Sequence, residues 1–141
     1  MLQEIEPSVF LGSSGAGGAP ALLAPHRITD VIHIGYDPLE RTDDITYHAF
    51  SFDDSFTAAD DMVRHGAEIV NLINTLRGEG RIVLVSCLMG RSRSASMMVL
   101  WLHTVHPALS YRELVALISK KRTISINLTF ADRLQAIIDT H

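Results

Sequence analysis

The run Ile82-Val83-Leu84-Val85 narrows the fold more than any other feature of the chain. Four consecutive apolar residues suit a strand covered on both faces, as parallel strands in layered α/β proteins are, and not the alternation of a half-exposed sheet. The strand is expected over Arg81 to Ser86. A turn follows it, and a helix is expected from Arg93 through Trp101 to Val105, before Pro107 interrupts it.

The rest of the chain alternates in the same way. Ser8 to Leu11 is a short apolar stretch, and Gly12 to Pro20 reads as a loop rich in Gly, Ser and Ala. Leu22 and Leu23 suggest one helical turn, Ile28 to Ile34 a buried strand ended by Gly35, and Ile45 to Phe52 a second strand. Met62, Val63, Ile69, Val70, Ile73 and Leu76 share one face of a helix over Thr57 to Leu76, with Thr57 as a cap and Gly78 as a stop. Ser110 and Glu113 have capping-box spacing, and Phe130, Leu134, Ile137 and Ile138 mark a last amphipathic helix. Strands alternating with helices before a helical end indicate one layered α/β domain over residues 1–141, a length within the range of a single domain.

Composition excludes several function classes. Twelve Lys and Arg against 16 Asp and Glu give a formal charge of -4, so no global positive field draws nucleic acid or an anionic membrane, and any anion site must be local. With one cysteine no disulfide forms within the chain, which favours a reducing, cytoplasmic setting open to the nucleus. The acidic start Gln3-Glu4-Ile5-Glu6 does not read as a signal peptide, and no apolar run approaches bilayer length, so membrane insertion is not expected.

That lone cysteine opens the segment Cys87-Leu88-Met89-Gly90-Arg91-Ser92-Arg93-Ser94, which sets a thiol and a guanidinium six positions apart across a strand-to-helix turn. Backbone N–H groups converge at such a turn, and the helix N-terminus adds partial positive charge, so a phosphate can be held by residues 88–92. Gly90 lets the loop curl. Arg93 can grip two phosphate oxygens with its planar fork, and the same positive surroundings favour the thiolate of Cys87 as nucleophile. Attack on phosphorus would form a phosphocysteine, and Ser94 could donate to the sulfur as it leaves. An isolated cysteine is more often a small buried apolar residue. Here the complete loop reverses that reading.

Val85-Ser86-Cys87 through Ala95 resembles the signature loop of the dual-specificity branch of the protein tyrosine phosphatases. The likeness extends to residues 5–12 and 27–32, similar to that family's first two strands, and to Asn127 and Phe130 of a late motif. The resemblance implies a central five-stranded sheet flanked by helices, a phosphorylated protein as substrate, no cofactor and no metal. It also implies a pocket open to phosphoserine and phosphothreonine as well as phosphotyrosine. His103 and His106 lie three apart on a helix without convincing further ligands, and read as ordinary surface or satisfied histidines.

The leaving oxygen needs a proton, and Asp53 and Asp54 are the available carboxyls. Aligning Tyr47 to Asp54 with the family strand puts Asp54 on the acid position, whereas counting back from the helix favours Asp53; strand register selects Asp54. A thiolate coexisting with a protonated acid predicts a bell-shaped rate profile on the mildly acidic side. In other settings an Asp-Asp pair is a solvated turn.

Three positions depart from the family pattern. Ser86 stands where histidine usually precedes the cysteine, which implies a less activated thiol; Ile126 replaces a proline, and Thr129 a common glycine. Arg91 reads as a solvated loop-edge charge that could also attract an acidic neighbour of the phosphosite. Lys120-Lys121-Arg122 reads as the complement of a helix dipole, with a docking patch as the alternative. Ser86 keeps open a catalytically silent, phosphate-binding module. A lipid or nucleotide phosphatase is disfavoured because Leu88 stands where lipid-specific relatives often carry lysine.

Overall fold

The computed structural model describes residues 1–140. In chain order the elements are β1 (Leu2–Glu6), β2 (Val9–Ser13), α1 (Ser14–Gly17), α2 (Pro20–Leu23), a 3-10 turn (Ala24–His26), β3 (Asp30–Ile34), β4 (Thr46–Phe50), α3 (Ala59–Gly78), β5 (Val83–Cys87), α4 (Arg93–Val105), α5 (Tyr111–Ser119) and α6 (Leu128–Asp139). They build a five-stranded sheet of order β1-β2-β5-β3-β4, flanked by helices as expected, in which only the β1–β2 pair is antiparallel. The apolar run becomes β5, the central strand, buried along its whole length between β2 and β3.

The larger core lies between the sheet and α3 to α6 and includes Trp101, Phe52, Phe130, Met97, Ile69 and Ile73. A smaller one, with Phe10, Leu23, Val31 and Leu84, closes the other face under α1 and α2. Helix α4 runs through the larger core, and its Trp101 donates Nε1–H to Asn74 Oδ1 at 2.9 Å. Helix α5 starts at a reciprocal capping box between Ser110 and Glu113, as its spacing predicts.

Three local expectations are corrected. The stretch similar to a single opening strand is a hairpin: the chain turns at Pro7-Ser8, where Ser8 has φ +75°, and β1 pairs back on β2. The Gly12 to Pro20 loop contains the one-turn helix α1, whose small residues let it press on the sheet; a Cβ at Gly17 would lie 3.0 Å from Ser86 Oγ. Thr57 does not cap α3. Ala58 holds that position without a side-chain bond, and the Thr57 hydroxyl pairs with Ser55 Oγ at 3.3 Å.

One polar group in the sheet carries a pH-dependent share of stability. Asp30, 1 % exposed, accepts from Thr29 Oγ1 at 2.6 Å and from Arg81 Nε, and its other oxygen lies 2.8 Å from His48 Nε2. Burial pushes the Asp30 carboxyl up, but the hydrogen bonds of His48, Thr29 and Arg81 outweigh it and hold the group below its ordinary value. A depressed folded-state value stabilises the protein above the unfolded value of about 3.9, and this contribution is lost as pH falls through the folded one. Asp30→Asn is therefore expected to lower stability at neutral pH by about 1.5–3 kcal/mol. Thermal melting should show the gap to wild type closing below about pH 4.

Candidate active site

Parallel pairing aligns Ser13, Cys87 and Ile34, the ends of β2, β5 and β3, at one edge of the sheet. Because β5 inserts between β2 and β3, a crevice opens beyond their carboxyl ends, the usual place for a ligand in an open α/β sheet. The chain leaves β5 at Cys87 and enters α4 at Arg93.

The turn between them is braced from outside. Ser14 donates from its backbone N (3.3 Å) and its Oγ (3.2 Å) to Leu88 O. Arg122 donates from Nη2 to Met89 O (3.0 Å) and from Nε to Gly90 O (2.9 Å). Since C=O and N–H point oppositely in a trans peptide, drawing these three carbonyls outward turns the N–H groups of Met89, Gly90 and Arg91 to the other side of the loop. Gly90 has φ +66°, and a Cβ there would lie 2.5 Å from the carbonyl of Gly12, so the turn requires glycine.

Arg122 thus has a role that its place in a basic run did not reveal. Its Nη1 also donates to Met1 O (3.1 Å) and Gln3 Oε1 (2.8 Å), while Lys121 Nζ donates to Ile5 O at 3.1 Å. Burial draws the Arg122 guanidinium below its ordinary value; Cys87 opposes that shift and Arg91 adds to it. Arg91 itself is exposed, and its carbonyl accepts from Ser125 N at 2.9 Å. His106, just past the end of α4 rather than on it, pairs with Glu6 Oε1 at 2.7 Å.

Cys87 is 2 % exposed, with Sγ 3.0 Å from Ser94 Oγ and 3.4 Å from Ser94 N. The half-buried Arg93 donates from Nη1 to Phe52 O at 3.4 Å, which ties its guanidinium to the segment leading into Asp53-Asp54. Asp54 Oδ1 accepts from Ser92 Oγ at 2.7 Å and from Asn127 Nδ2 at 2.9 Å. Asn127 caps α6 by accepting from Phe130 N at 2.9 Å, and donates its own N–H to Ser92 Oγ at 3.0 Å. Ser92, at the N-cap position of α4, makes no capping bond there and gives its hydroxyl to Asp54, while the N–H of Ser94 in the first turn donates to Cys87 Sγ.

A cavity of about 260 Å³ lies over this arrangement, walled by Asp54, Cys87, Leu88, Met89, Ser92 and Arg93 together with Arg91 and Ser125. Asp53 is exposed and is not part of that wall. The segment after Asp54 is held at the cavity although Ile126 and Thr129 depart from the family pattern, because Asn127 bridges it to α6.

Ser86 is fully buried, and its Oγ lies 2.9 Å from Nδ1 of His33, its register partner on β3. His33 Nε2 is 3.0 Å from Asp37 Oδ1. An imidazole therefore stands beside the residue preceding Cys87, delivered from the neighbouring strand.

The architecture defines the class: this is the protein tyrosine phosphatase fold, with a cysteine-to-arginine loop at the carboxyl edge of its sheet. Residues 9–139 match the family model described as "Dual specificity phosphatase, catalytic domain", and the chain belongs to that family. It is 30% identical over 124 residues to mouse dual specificity protein phosphatase 15, covering 88% of this chain and 52% of the mouse protein. It thus spans about half the length of that relative. The crystal structure of human DUSP28 superposes with a TM-score of 0.86 at 26% identity, over 99% of this chain and 93% of that one. A mouse putative dual specificity phosphatase complexed with zinc tungstate superposes with a TM-score of 0.86 at 25% identity, over 99% and 87% of the two chains. Among the described residues no helix is long and apolar enough to cross a membrane.

Proposed function

We propose that the protein hydrolyses phosphotyrosine and phosphoserine or phosphothreonine on protein substrates. Cys87 acts as nucleophile, Arg93 as phosphate clamp, Asp54 as general acid and base, and Ser94 as donor to the sulfur. The reading rests on one arrangement: a sulfur within 3.0 Å of Ser94 Oγ, on the same cavity wall as Arg93 and Asp54.

The thiolate attacks phosphorus in line while the bond to the leaving oxygen breaks, and Asp54 protonates that oxygen. The N–H groups of residues 88–92 and the fork of Arg93 balance charge on the equatorial oxygens. Asp54, now a carboxylate, takes a proton from water as the water attacks phosphorus; the S–P bond breaks, the sulfur is received by Ser94, and inorganic phosphate leaves.

A protein substrate suits the surroundings better than a polyphosphorylated headgroup. Leu88 and Met89 are exposed on the loop, Phe56 lies two residues beyond Asp54, and Leu128 follows Asn127; all four are exposed. Arg122, which could have met a second phosphate, is bonded to four acceptors within the chain. Phosphopeptides should therefore be turned over faster than phosphoinositides, and the reverse order would overturn this substrate class.

The assignment of the acid has its own test. Asp54→Asn is expected to lower kcat on a phosphopeptide by about 100-fold, with a smaller loss on an aryl phosphate whose leaving group needs little protonation. Asp53→Asn should remain within about 2-fold of wild type, well short of the loss of a general acid. Equal losses in the two variants would remove Asp54 from the role.

A further inference from the structure

Behind the nucleophile lies a polar group that the proposed mechanism does not use. His33 is 7 % exposed and Ser86 is fully buried, and the two bond to each other across a parallel pair whose other buried residues, Asp30 at its far end apart, are apolar. Buried polar pairs of this kind fix one arrangement of the chain, because breaking either partner leaves the other unsatisfied.

The direction of the bonds can be worked out. Burial pushes the Asp37 carboxyl up, but the hydrogen bonds of His33 and Ser14 hold it below its ordinary value, so it is a carboxylate that can only accept. Nε2 of His33 therefore carries a proton and donates to Asp37 Oδ1 at 3.0 Å. In the neutral ring Nδ1 is then the acceptor, and Ser86 Oγ–H donates to it at 2.9 Å. The Ser86 side chain is pinned, and with it the peptide that carries Cys87.

The same pair reaches the clamp. Gly35 has φ +150°, and a Cβ built there would sit 2.7 Å from Asp37 Oδ1, 3.4 Å from Arg93 Nη1 and 3.6 Å from His33 Nε2. The carboxylate, the guanidinium and the imidazole thus converge on a space that only glycine leaves open. Ser14, which also bears on the Asp37 carboxylate, donates to Leu88 O of the loop.

We propose that His33 is a positioning residue for the phosphate loop: oriented by Asp37, it fixes Ser86 and so holds Cys87 in register with Arg93. This rests on the phosphatase reading only for its kinetic readout, since the geometry requires no turnover. Ser86 then is not a loss of imidazole support. The imidazole arrives from β3.

Asparagine and glutamine separate the two bonds of His33. Asn carries an acceptor near the place of Nδ1 and keeps the Ser86 bond, whereas Gln carries a donor near Nε2 and keeps only the Asp37 bond. The test compares His33→Asn, His33→Gln, Ser86→Ala and the His33→Gln/Ser86→Ala double variant in the full chain. The readouts are kcat and KM on an aryl phosphate and, separately, the rate at which iodoacetate alkylates Cys87. His33→Gln and Ser86→Ala should each lower kcat by about 10-fold with KM within about 2-fold, the double variant should be no worse than the poorer single, and His33→Asn should recover most of the loss. Alkylation should slow in the same order.

Losses that multiply in the double variant, or Asn no better than Gln, would overturn the role, as would variants that melt earlier but react at the wild-type rate. If the wild type hydrolyses nothing, the phosphatase reading fails, and the alkylation order alone still decides the place of His33.

Discussion

Cys87→Ser is expected to abolish hydrolysis, lowering kcat by about 10⁴–10⁶-fold, the scale on which a hydrolase loses its nucleophile. The hydroxyl fits where the sulfur sits, 2 % exposed, and can still meet Ser94, so the variant should melt close to wild type. It should also still bind inorganic phosphate or vanadate, since the loop N–H groups and Arg93 are untouched. Loss of turnover with retained anion binding is the pattern that separates chemistry from recognition. A silent binding module would show the second property in both proteins and the first in neither. Residual activity near the wild-type rate would mean that another group attacks phosphorus.

Arg93→Lys should cost at least about 10³-fold in kcat, the lower end of what an arginine contributes to charge balance in phosphoryl transfer. The substitution keeps the positive charge, so the loss would be one of geometry: two parallel N–H donors become one point charge on a flexible stem. Arg93 is tied to Phe52 O and flanked by the space at Gly35, so its fork is fixed in direction before a ligand arrives. Lysine cannot reproduce both contacts. Kinetics at saturating aryl phosphate, with melting as a folding control, reads the effect directly, and a loss of only a few-fold would reduce Arg93 to a general electrostatic role.

The parts of this molecule that local pattern could reveal were those set by local physics. Four apolar residues in succession announced β5, Pro107 bounded α4, and the Ser110 and Glu113 spacing announced α5. The loop from Cys87 to Ser94 was readable because its residues are contiguous and their spacing has a chemical use. What could not be read depended on which strands become neighbours. His33 and Ser86 lie 53 residues apart and meet only because β5 inserts between β2 and β3. The bond from Asn127 to Asp54 spans 73 residues, and Arg122 braces a turn more than 30 residues upstream. Nothing in a basic run at a helix end distinguishes a loop brace from a dipole complement. The helix α1 is not legible in the sequence because four residues carry no periodicity, and Thr57 does not cap α3 although its residue type suits the role, its hydroxyl pairing with Ser55 Oγ instead.

The exposed side chains around the cavity follow from the same geometry. Phe56 and Leu128 belong to segments held by the hydrogen bonds that seat Asp54, so the proposed acid and part of the apolar rim are positioned together. Altering Asn127 would therefore disturb both.

Rapid acid quenching during turnover of an aryl phosphate, followed by mass spectrometry of the peptide that contains Cys87, tests the central assignment most directly. A phosphoryl group on that cysteine, formed at least as fast as product is released and absent from Cys87→Ser, is the expected result. Steady turnover with Cys87 never phosphorylated, or with the phosphoryl group on another side chain, would contradict it.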